Sequence, residues 1–116
     1  LNNSGGAMGM KMPYDVSNYT GIVLAARGSG SIRASVQIAA TIETTEGGTC
    51  AMDCDPHGMM LNLTNEWQRF TLPFAQLTQE GWGTAAAWDP TSVMSIQFKV
   101  GPNQTLDLWV DELGFY

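Results

Sequence analysis

The amino-acid sequence predicts an all-β fold, a β-sandwich or jelly roll built from short strands. Apolar and polar residues alternate in several short segments, which is the pattern of a strand with one buried face. Thirteen glycines and five prolines are spread along the chain and supply turn signals between these segments. No segment has the periodicity of a long helix, which also favours a sandwich or jelly roll. The 116 residues are enough for one core but too few for two, so we expect residues 1–116 to form a single domain.

The strands are predicted in order along the chain. Residues 22–26 are a short apolar run between glycines, which indicates a buried strand. Residues 31–43 alternate most clearly, with Ile32, Val36 and Ile38 on the side predicted to face the core. The other predicted elements are strands at 8–12, 59–63, 67–72, 93–100 and 105–115, a helical turn at 74–78, and loops at 44–58 and 80–90. The predicted core of the C-terminal half comprises Phe70, Leu72, Ile96, Phe98, Leu106, Leu108 and Val110.

The charge balance excludes some classes of partner. Five basic and eleven acidic residues give a net charge of −6, and no basic stripe is present to neutralise phosphates. We therefore expect no nucleic-acid partner and no binding to anionic membranes. No apolar run approaches the roughly 20 residues of a membrane span. Because the chain begins with Leu1, we expect a preceding segment, so the lack of a signal peptide does not argue against export.

The two cysteines lie in one loop. Cys50 and Cys54 are separated by three residues, close enough in a turn for a disulfide. Their neighbours Asp53, Asp55 and His57 could also attract a metal ion, but structural zinc normally takes four nitrogen or sulfur ligands and only three are present here. We predict a local disulfide, with zinc and free thiols as the alternatives.

Polar residues on the alternate sides of two strands are candidates for ligand recognition. Arg33 and Gln37 share one side of the strand at 31–43, and Gln97 and Lys99 share one side of the strand at 93–100. If the two strands are neighbours, these residues form a patch of donors and acceptors suited to hydroxyl groups. A merely solvated outer face is the alternative interpretation.

Aromatic residues could complete such a patch, because sugar rings stack on exposed indole faces. Trp109 shares a side of its strand with Asp107 and Asp111, so we predict that it stands on the polar sheet face. Trp82, in a loop rich in glycine and alanine, and His57 are predicted at the rim. Packing of each tryptophan into the sandwich is the alternative, since tryptophan is highly buried on average.

Several motifs follow one another in a fixed order along the chain: Tyr14-Asp-Val-Ser-Asn-Tyr-Thr-Gly-Ile22, Ser31-Ile-Arg-Ala-Ser-Val-Gln-Ile38, Glu66-Trp-Gln-Arg-Phe70, Gln79-Glu-Gly-Trp-Gly83 and Leu108-Trp-Val-Asp111. This series resembles the carbohydrate-binding modules of the galactose-binding-domain-like jelly-roll superfamily, which are found in extracellular bacterial glycoside hydrolases. The chain departs from the pattern at Leu24 and Ala25, where the family usually has an aromatic pair.

The resemblance has further implications. Modules of this kind begin with one or two more strands, so we expect a first strand or strands to be missing before Leu1. That strand often supplies calcium ligands that act with an aspartate of the last strand, and by position this residue is Asp111. The resemblance therefore implies a structural calcium ion and an open sheet edge, which a second chain could fill.

The predicted function is non-catalytic binding of polysaccharide by a secreted protein. A glycosidase needs two carboxyl groups about 5–10 Å apart, and no such pair and no nucleophile motif is marked in the sequence. We expect the chain to hold an attached enzyme on a β-glucan or related plant cell-wall glycan. Two alternatives stay open: a structural module of a cell-surface protein that pairs its sheet edge with another chain, and a small domain of a hydrolase whose catalytic residues lie elsewhere.

Overall fold

The computed structural model describes residues 6–100 and 107–116, and they form two antiparallel sheets. The strands are β1 (Gly6–Tyr14), β2 (Gly21–Gly28), β3 (Ser31–Ile38), β4 (His57–Asn62), β5 (Gln68–Pro73), β6 (Val93–Val100) and β7 (Leu108–Phe115). One sheet has four strands in the order β1-β6-β3-β4, and the other has three in the order β5-β2-β7. Single turns of 3₁₀ helix lie at Ala39–Thr41, Thr44–Glu46 and Phe74–Gln76. The predicted all-β sandwich is therefore confirmed.

The core lies between the two sheets, where the alternating apolar residues of each strand meet. Ile32 and Val36 of β3, and Ile22 and Leu24 of β2, are at most 1% exposed. Fully burying each of these side chains contributes about 1.5–3 kcal/mol. The clearest alternation in the sequence thus forms β3, an inner strand of the four-stranded sheet, and the apolar run at 22–26 forms β2, the middle strand of the other sheet.

The strand predicted at 31–43 is too long, because β3 ends at Ile38. The Thr41 hydroxyl explains this end: it accepts a hydrogen bond from the Ile38 N–H at 3.1 Å and donates one to Gln37 Oε1 at 2.9 Å. A hydroxyl side chain that bonds to the nearby backbone competes with the sheet ladder. The chain turns there through a 3₁₀ helix, Ala39–Thr41.

The remaining predictions hold with small shifts. The predicted first strand is β1, the helical turn is found at Phe74–Gln76, and β4 begins at His57, within the predicted loop at 44–58. Residues 105–106 of the predicted last strand, including the core prediction Leu106, lie outside the described residues. The expected strand before Leu1 stays a prediction. Within the described ranges, no helix is both long and apolar enough to cross a bilayer.

Candidate functional site

The outer face of the four-stranded sheet carries polar side chains on two neighbouring strands. In the pairing of β3 with β6, Arg33 lies opposite Lys99, Ser35 opposite Gln97 and Gln37 opposite Ser95. We call this surface the polar face; it consists of the outward residues Arg33, Ser35, Gln37, Ser95, Gln97 and Lys99. Four of the predicted ligand-binding residues therefore stand together on one surface. Their role in binding stays a prediction.

Hydrogen bonds hold the amide groups of the polar face in place. Gln37 Nε2 donates to Gln97 Oε1 at 3.0 Å, and the Thr41 hydroxyl donates to Gln37 Oε1 at 2.9 Å. Gln37 is only 8% exposed, and a buried amide needs such partners. The chain Thr41–Gln37–Gln97 therefore fixes the orientation of the Gln97 side chain before any ligand arrives.

A cleft of about 390 Å³ lies at the Gln37 end of the polar face. It is lined by Gln37, Thr41, Ile42, Glu43, Glu46, Cys54, Met94, Ser95 and Gln97. Two carboxylates and two amides in one open cleft suit a ligand rich in hydroxyl groups. Sequence reasoning did not select Glu43 or Glu46 as ligand-binding residues, because the predicted strand ran on to residue 43 and hid the turn that brings both of them beside Gln37.

Arg33 joins the polar face to the loops that border it on the β4 side. Its Nη2 donates to the carbonyl oxygens of Thr78 and Pro56, and its Nε lies 3.4 Å from Glu80 Oε1. The Arg33 side chain is largely buried by these contacts. It therefore positions the loops rather than presenting a free guanidinium to solvent.

Trp82 stands in a tight turn of residues 80–83 that is held by a buried carboxylate. Asp55 is 1% exposed, and it accepts hydrogen bonds from the N–H groups of Glu80 at 3.2 Å, Gly81 at 2.8 Å and Gly83 at 3.3 Å. Gly81 has a φ of 97°, which an L side chain rarely adopts. The turn leaves Trp82 57% exposed at the β4 side of the polar face, beside Glu80, the partner of Arg33.

The environment of Asp55 favours its charged form. Burial raises the pKa of its carboxyl, but the N–H groups of Gly81, Glu80 and Gly83 and the charge of Arg33 outweigh burial and leave the pKa below its ordinary value. The carboxylate therefore supports the turn at neutral pH. Its contribution to stability is lost only as the pH falls through that lowered pKa, in acid below about pH 3.9.

His57 lies in the interior, not at the rim as predicted. It pairs with Val36, a core residue, and is 5% exposed. Its Nε2 donates to the Ala86 carbonyl at 3.0 Å, and its ring meets Trp88 edge-on at 5.7 Å. Trp88 in turn packs on Phe74 with ring centroids 5.0 Å apart, so this tryptophan is partly buried against the core. A His57 ring so enclosed is not placed to contact a glycan on the polar face.

The pKa of His57 reflects this enclosure. Burial is the largest cause and lowers the pKa; the Ala86 carbonyl and the charge of Asp55 raise it by less, and the charge of Arg33 lowers it further. The net result is a pKa below the ordinary value of histidine. His57 Nδ1 is buried without a hydrogen-bond partner, so a proton placed there would have no acceptor among the described residues.

The predicted disulfide is confirmed. Cys50 and Cys54 are bonded with their Cα atoms 6.0 Å apart, so zinc binding by free thiolates and unpaired thiols are both excluded. Beside the disulfide, the backbone of Cys54 pairs with that of Thr84 in an isolated β-bridge. The Thr84 N–H donates a hydrogen bond to the Asp53 carbonyl at 2.8 Å. The disulfide loop and the Trp82 turn therefore support each other along the edge of the polar face.

Trp109 and Asp111 lie on the other sheet. They are on the outer side of β7, opposite Arg27 and Ala25 of β2, so the prediction that Trp109 joins Arg33 and Gln37 on one face is wrong. Asp111 Oδ1 accepts the Glu112 N–H at 2.8 Å. No group of three or more histidine, cysteine, aspartate or glutamate side chains able to hold a metal occurs in the described part of the chain. One carboxylate does not make the six to eight oxygen ligands of calcium, so the calcium ion stays a prediction.

The fold matches solved structures of known function, although no protein-family model and no curated protein matches the sequence. The family 11 carbohydrate-binding module of the cellulosomal cellulase Lic26A-Cel5E of Clostridium thermocellum superposes with a TM-score of 0.73, at 16% identity over 96% of this chain. A family 11 module from Clostridium thermocellum in complex with a β-1,3-1,4-mixed-linked tetrasaccharide gives 0.72 at 15% identity, again over 96% of this chain. This chain spans 65% and 66% of those two chains. The predicted resemblance to a jelly-roll carbohydrate-binding module is thus confirmed at the level of the fold.

Proposed function

We propose that the chain is a non-catalytic module that binds a β-glucan or related plant polysaccharide and holds an attached enzyme on it. The observation that carries the proposal is the polar face of β3 and β6, which ends in the cleft beside Gln37. The shared fold supports it, since one structure with that fold holds a mixed-linked β-glucan tetrasaccharide.

The chemistry of the polar face fits a chain of sugar hydroxyls. The amide of Gln97 and the carboxylates of Glu43 and Glu46 supply donors and acceptors at the cleft. Trp82, on the bordering turn, offers an exposed indole on which the C–H face of a pyranose ring stacks. Because Gln97 is already oriented by Gln37, little side-chain entropy is lost on binding.

The expected affinity is modest. Each hydrogen bond contributes a net of about 0.5–1.5 kcal/mol, because ligand and protein exchange bonds with water. A module of this kind acts through effective concentration: a weak attachment raises the local concentration of the linked enzyme at an insoluble substrate. Secretion follows from the same proposal and is supported by the Cys50–Cys54 disulfide, since such bonds persist in oxidising compartments.

The test is affinity electrophoresis through gels containing mixed-linked β-glucan, xylan or mannan. We expect retardation in at least one glucan and a weaker effect for Gln97→Ala. Gln68→Ala is the matched control, because Gln68 is an exposed glutamine on β5 of the opposite sheet. A mobility unchanged by every polysaccharide would overturn the proposal, and equal retardation of Gln97→Ala and the native chain would remove the polar face from it.

Two alternatives have their own tests. Glu43 and Glu46 line one cleft, so release of reducing sugar from β-glucan by the purified chain would favour a hydrolase, and its loss in Glu43→Gln would place the activity in that cleft. Pairing of a sheet edge with a second chain stays a prediction. Size-exclusion chromatography with light scattering decides it for the chain alone, since a monomer of 12.5 kDa contradicts self-pairing.

A further inference from the structure

Two tryptophans stand in a row on the sheet that does not carry the polar face. Arg27 of β2 lies opposite Trp109 of β7, and on its other side the β5 register brings it beside Trp67. The Arg27 guanidinium carbon is 5.4 Å from the ring centroid of each tryptophan. We call Trp67, Arg27 and Trp109 the tryptophan row.

Both rings remain open to solvent despite this contact. Trp67 is 50% exposed and Trp109 is 56% exposed, although tryptophan is highly buried on average. Each ring centroid lies 5.4 Å from the Arg27 guanidinium carbon, so the two ring centroids are separated by at most twice that distance. Arg27 acts as a spacer that holds two half-open aromatic surfaces side by side.

A small polar cavity adjoins the row. It has a volume of about 250 Å³ and is lined by Arg27, Gly28, Asn65, Asp107 and Trp109. One cation and one carboxylate make this lining neutral in sum, and Asn65 adds an amide. Arg27 forms no ion pair within the described residues; its guanidinium carbon lies over the two rings, and its Nε is buried without a hydrogen-bond partner there.

From this arrangement we infer a second carbohydrate-binding site on the tryptophan row, distinct from the polar face. Two exposed indoles stack on the C–H faces of two sugar rings of one chain, and the neutral cavity takes their hydroxyl groups. An uncharged ligand fits better than an anionic one because Asp107 balances Arg27. The inference does not depend on the polar face, since its residues, ring contacts and cavity are all on the other sheet.

A protein partner fits the same surface less well. Protein hot spots lie in fully desolvated pockets surrounded by residues that exclude water. On the outer face of this sheet, the row of residues next to the tryptophan row is centred on Ala25 of β2. Arg69 of β5 and Asp111 of β7 lie on either side of Ala25, and both are exposed. The row is therefore a narrow aromatic strip on a charged surface, which suits an extended, hydrated chain more than an apolar interface.

The experiment compares the two faces in one assay. The probe is soluble β-1,3-1,4-mixed-linked glucan in affinity gels, with cellulose-derived oligosaccharides in calorimetry. We expect Trp109→Ala to weaken retardation about tenfold, by analogy with the loss of one aromatic ring that stacks on a nucleic-acid base, whose smaller effects are of this size. Gln97→Ala should weaken it separately, and the double variant should lose it. Arg69→Ala, on the same sheet but outside the row, should bind as the native chain does.

The outcomes separate this inference from the proposed function. If Trp109→Ala weakens binding and Gln97→Ala does not, the tryptophan row binds glycan and the polar face does not. If only Gln97→Ala matters, the second site is overturned and the proposed function stands. If the native chain dimerises and Trp109→Ala makes it monomeric without changing retardation, the row is a self-association surface and the inference is also overturned.

The variant Trp109→Leu tests whether weaker binding comes from the lost ring or from a folding defect. Leucine keeps an apolar side chain on β7 but removes the flat ring, so it should preserve the melting temperature and still weaken retardation as much as Trp109→Ala does. Trp109→Phe should recover part of the binding, since it restores a smaller aromatic face. Full binding by Trp109→Leu would show that packing, and not ring stacking, explains the exposed tryptophan, and would overturn the inference.

Discussion

The two outer faces of the sandwich hold their side chains by different physical means. On the polar face, Gln37 and Gln97 are oriented by hydrogen bonds, and Arg33 is largely buried against loop carbonyls. On the three-stranded sheet, Trp67 and Trp109 are about half exposed, and Arg27 between them contacts ring faces in place of hydrogen-bond acceptors. One face is organised by a polar network with loops around it, and the other by Arg27 of β2, which lies between Trp109 of β7 and Trp67, the residue before β5.

The difference predicts which face depends on the rest of the molecule. The polar face is bordered by the Trp82 turn and the disulfide loop, so it should respond to changes in Asp55, Cys50 and Cys54. The tryptophan row rests on the pairing of β2 with β5 and β7, on the sheet that the Trp82 turn and the disulfide loop do not border. Changes in the loops should therefore alter binding at the polar face while leaving the row unchanged.

The largest effect is expected for Asp55→Asn. Asparagine keeps one acceptor oxygen and places an N–H₂ group where the other oxygen was. Depending on which oxygen is replaced, the N–H of Glu80, or those of Gly81 and Gly83, lose their acceptor. Unsatisfied buried groups cost about 1–3 kcal/mol each, and we expect a loss of roughly 2–4 kcal/mol in the free energy of unfolding. Urea denaturation monitored by tryptophan fluorescence measures it.

Asp53→Asn is the matched control for this prediction. Asp53 is exposed and has a φ of 52°, which asparagine tolerates equally well, so its stability should change by less than about 0.5 kcal/mol. At temperatures where both variants are folded, Asp55→Asn should weaken the contribution of Gln97 to glycan retardation and leave that of Trp109 intact. Equal stability of the two variants would contradict the role assigned to Asp55.

Removing the disulfide should have an intermediate effect. The bond closes a loop of only about five residues, so Cys50→Ser with Cys54→Ser should lower the free energy of unfolding by about 2 kcal/mol. Because Cys54 lines the cleft beside Gln37, glycan retardation should fall as well. The two serines nearly match the cysteines in size, and a double variant with native retardation would show that the cleft does not need the loop.

Much of the fold could be predicted from the sequence because burial follows strand alternation. Residues such as Ile32 and Val36 alternate with polar neighbours, and this period fixes which side enters the core. The end of β3 could not be predicted, because it depends on a hydroxyl of Thr41 bonding back to Ile38. The alternation of apolar and polar residues continues in the sequence beyond Ile38, so it gives no sign that the strand ends there.

The site was only partly predictable, since alternation shows that residues share a side of a strand but not which sheet the strand joins. Gln37 and Gln97 were predicted together and lie together. Trp109 has the same kind of pattern, yet β7 joins the other sheet, so it stands by Arg27. His57 gave no sign of burial, because its enclosure comes from Trp88, far along the sequence.

The smallest effect is expected for the change in the free energy of unfolding with pH that comes from protonation of His57. Its lowered pKa means that the folded state keeps the neutral imidazole, while the unfolded chain takes up a proton at about pH 6.5. The free energy of unfolding should therefore decline as the pH falls below about 6.5, until the pKa of the folded state is passed. His57 is the single histidine of the sequence, and histidine is the side chain that ordinarily titrates between about pH 5 and 8. The difference between urea midpoints at about pH 7.5 and 5.5 therefore reports chiefly on His57. His57→Gln, whose amide can still donate to the Ala86 carbonyl, should abolish this slope, and the same slope in that variant would contradict the assignment. Since the tryptophan row contains no histidine, it should bind equally at both pH values, and any acid-induced loss of glycan binding should come from the polar face, whose bordering loop contains Ala86.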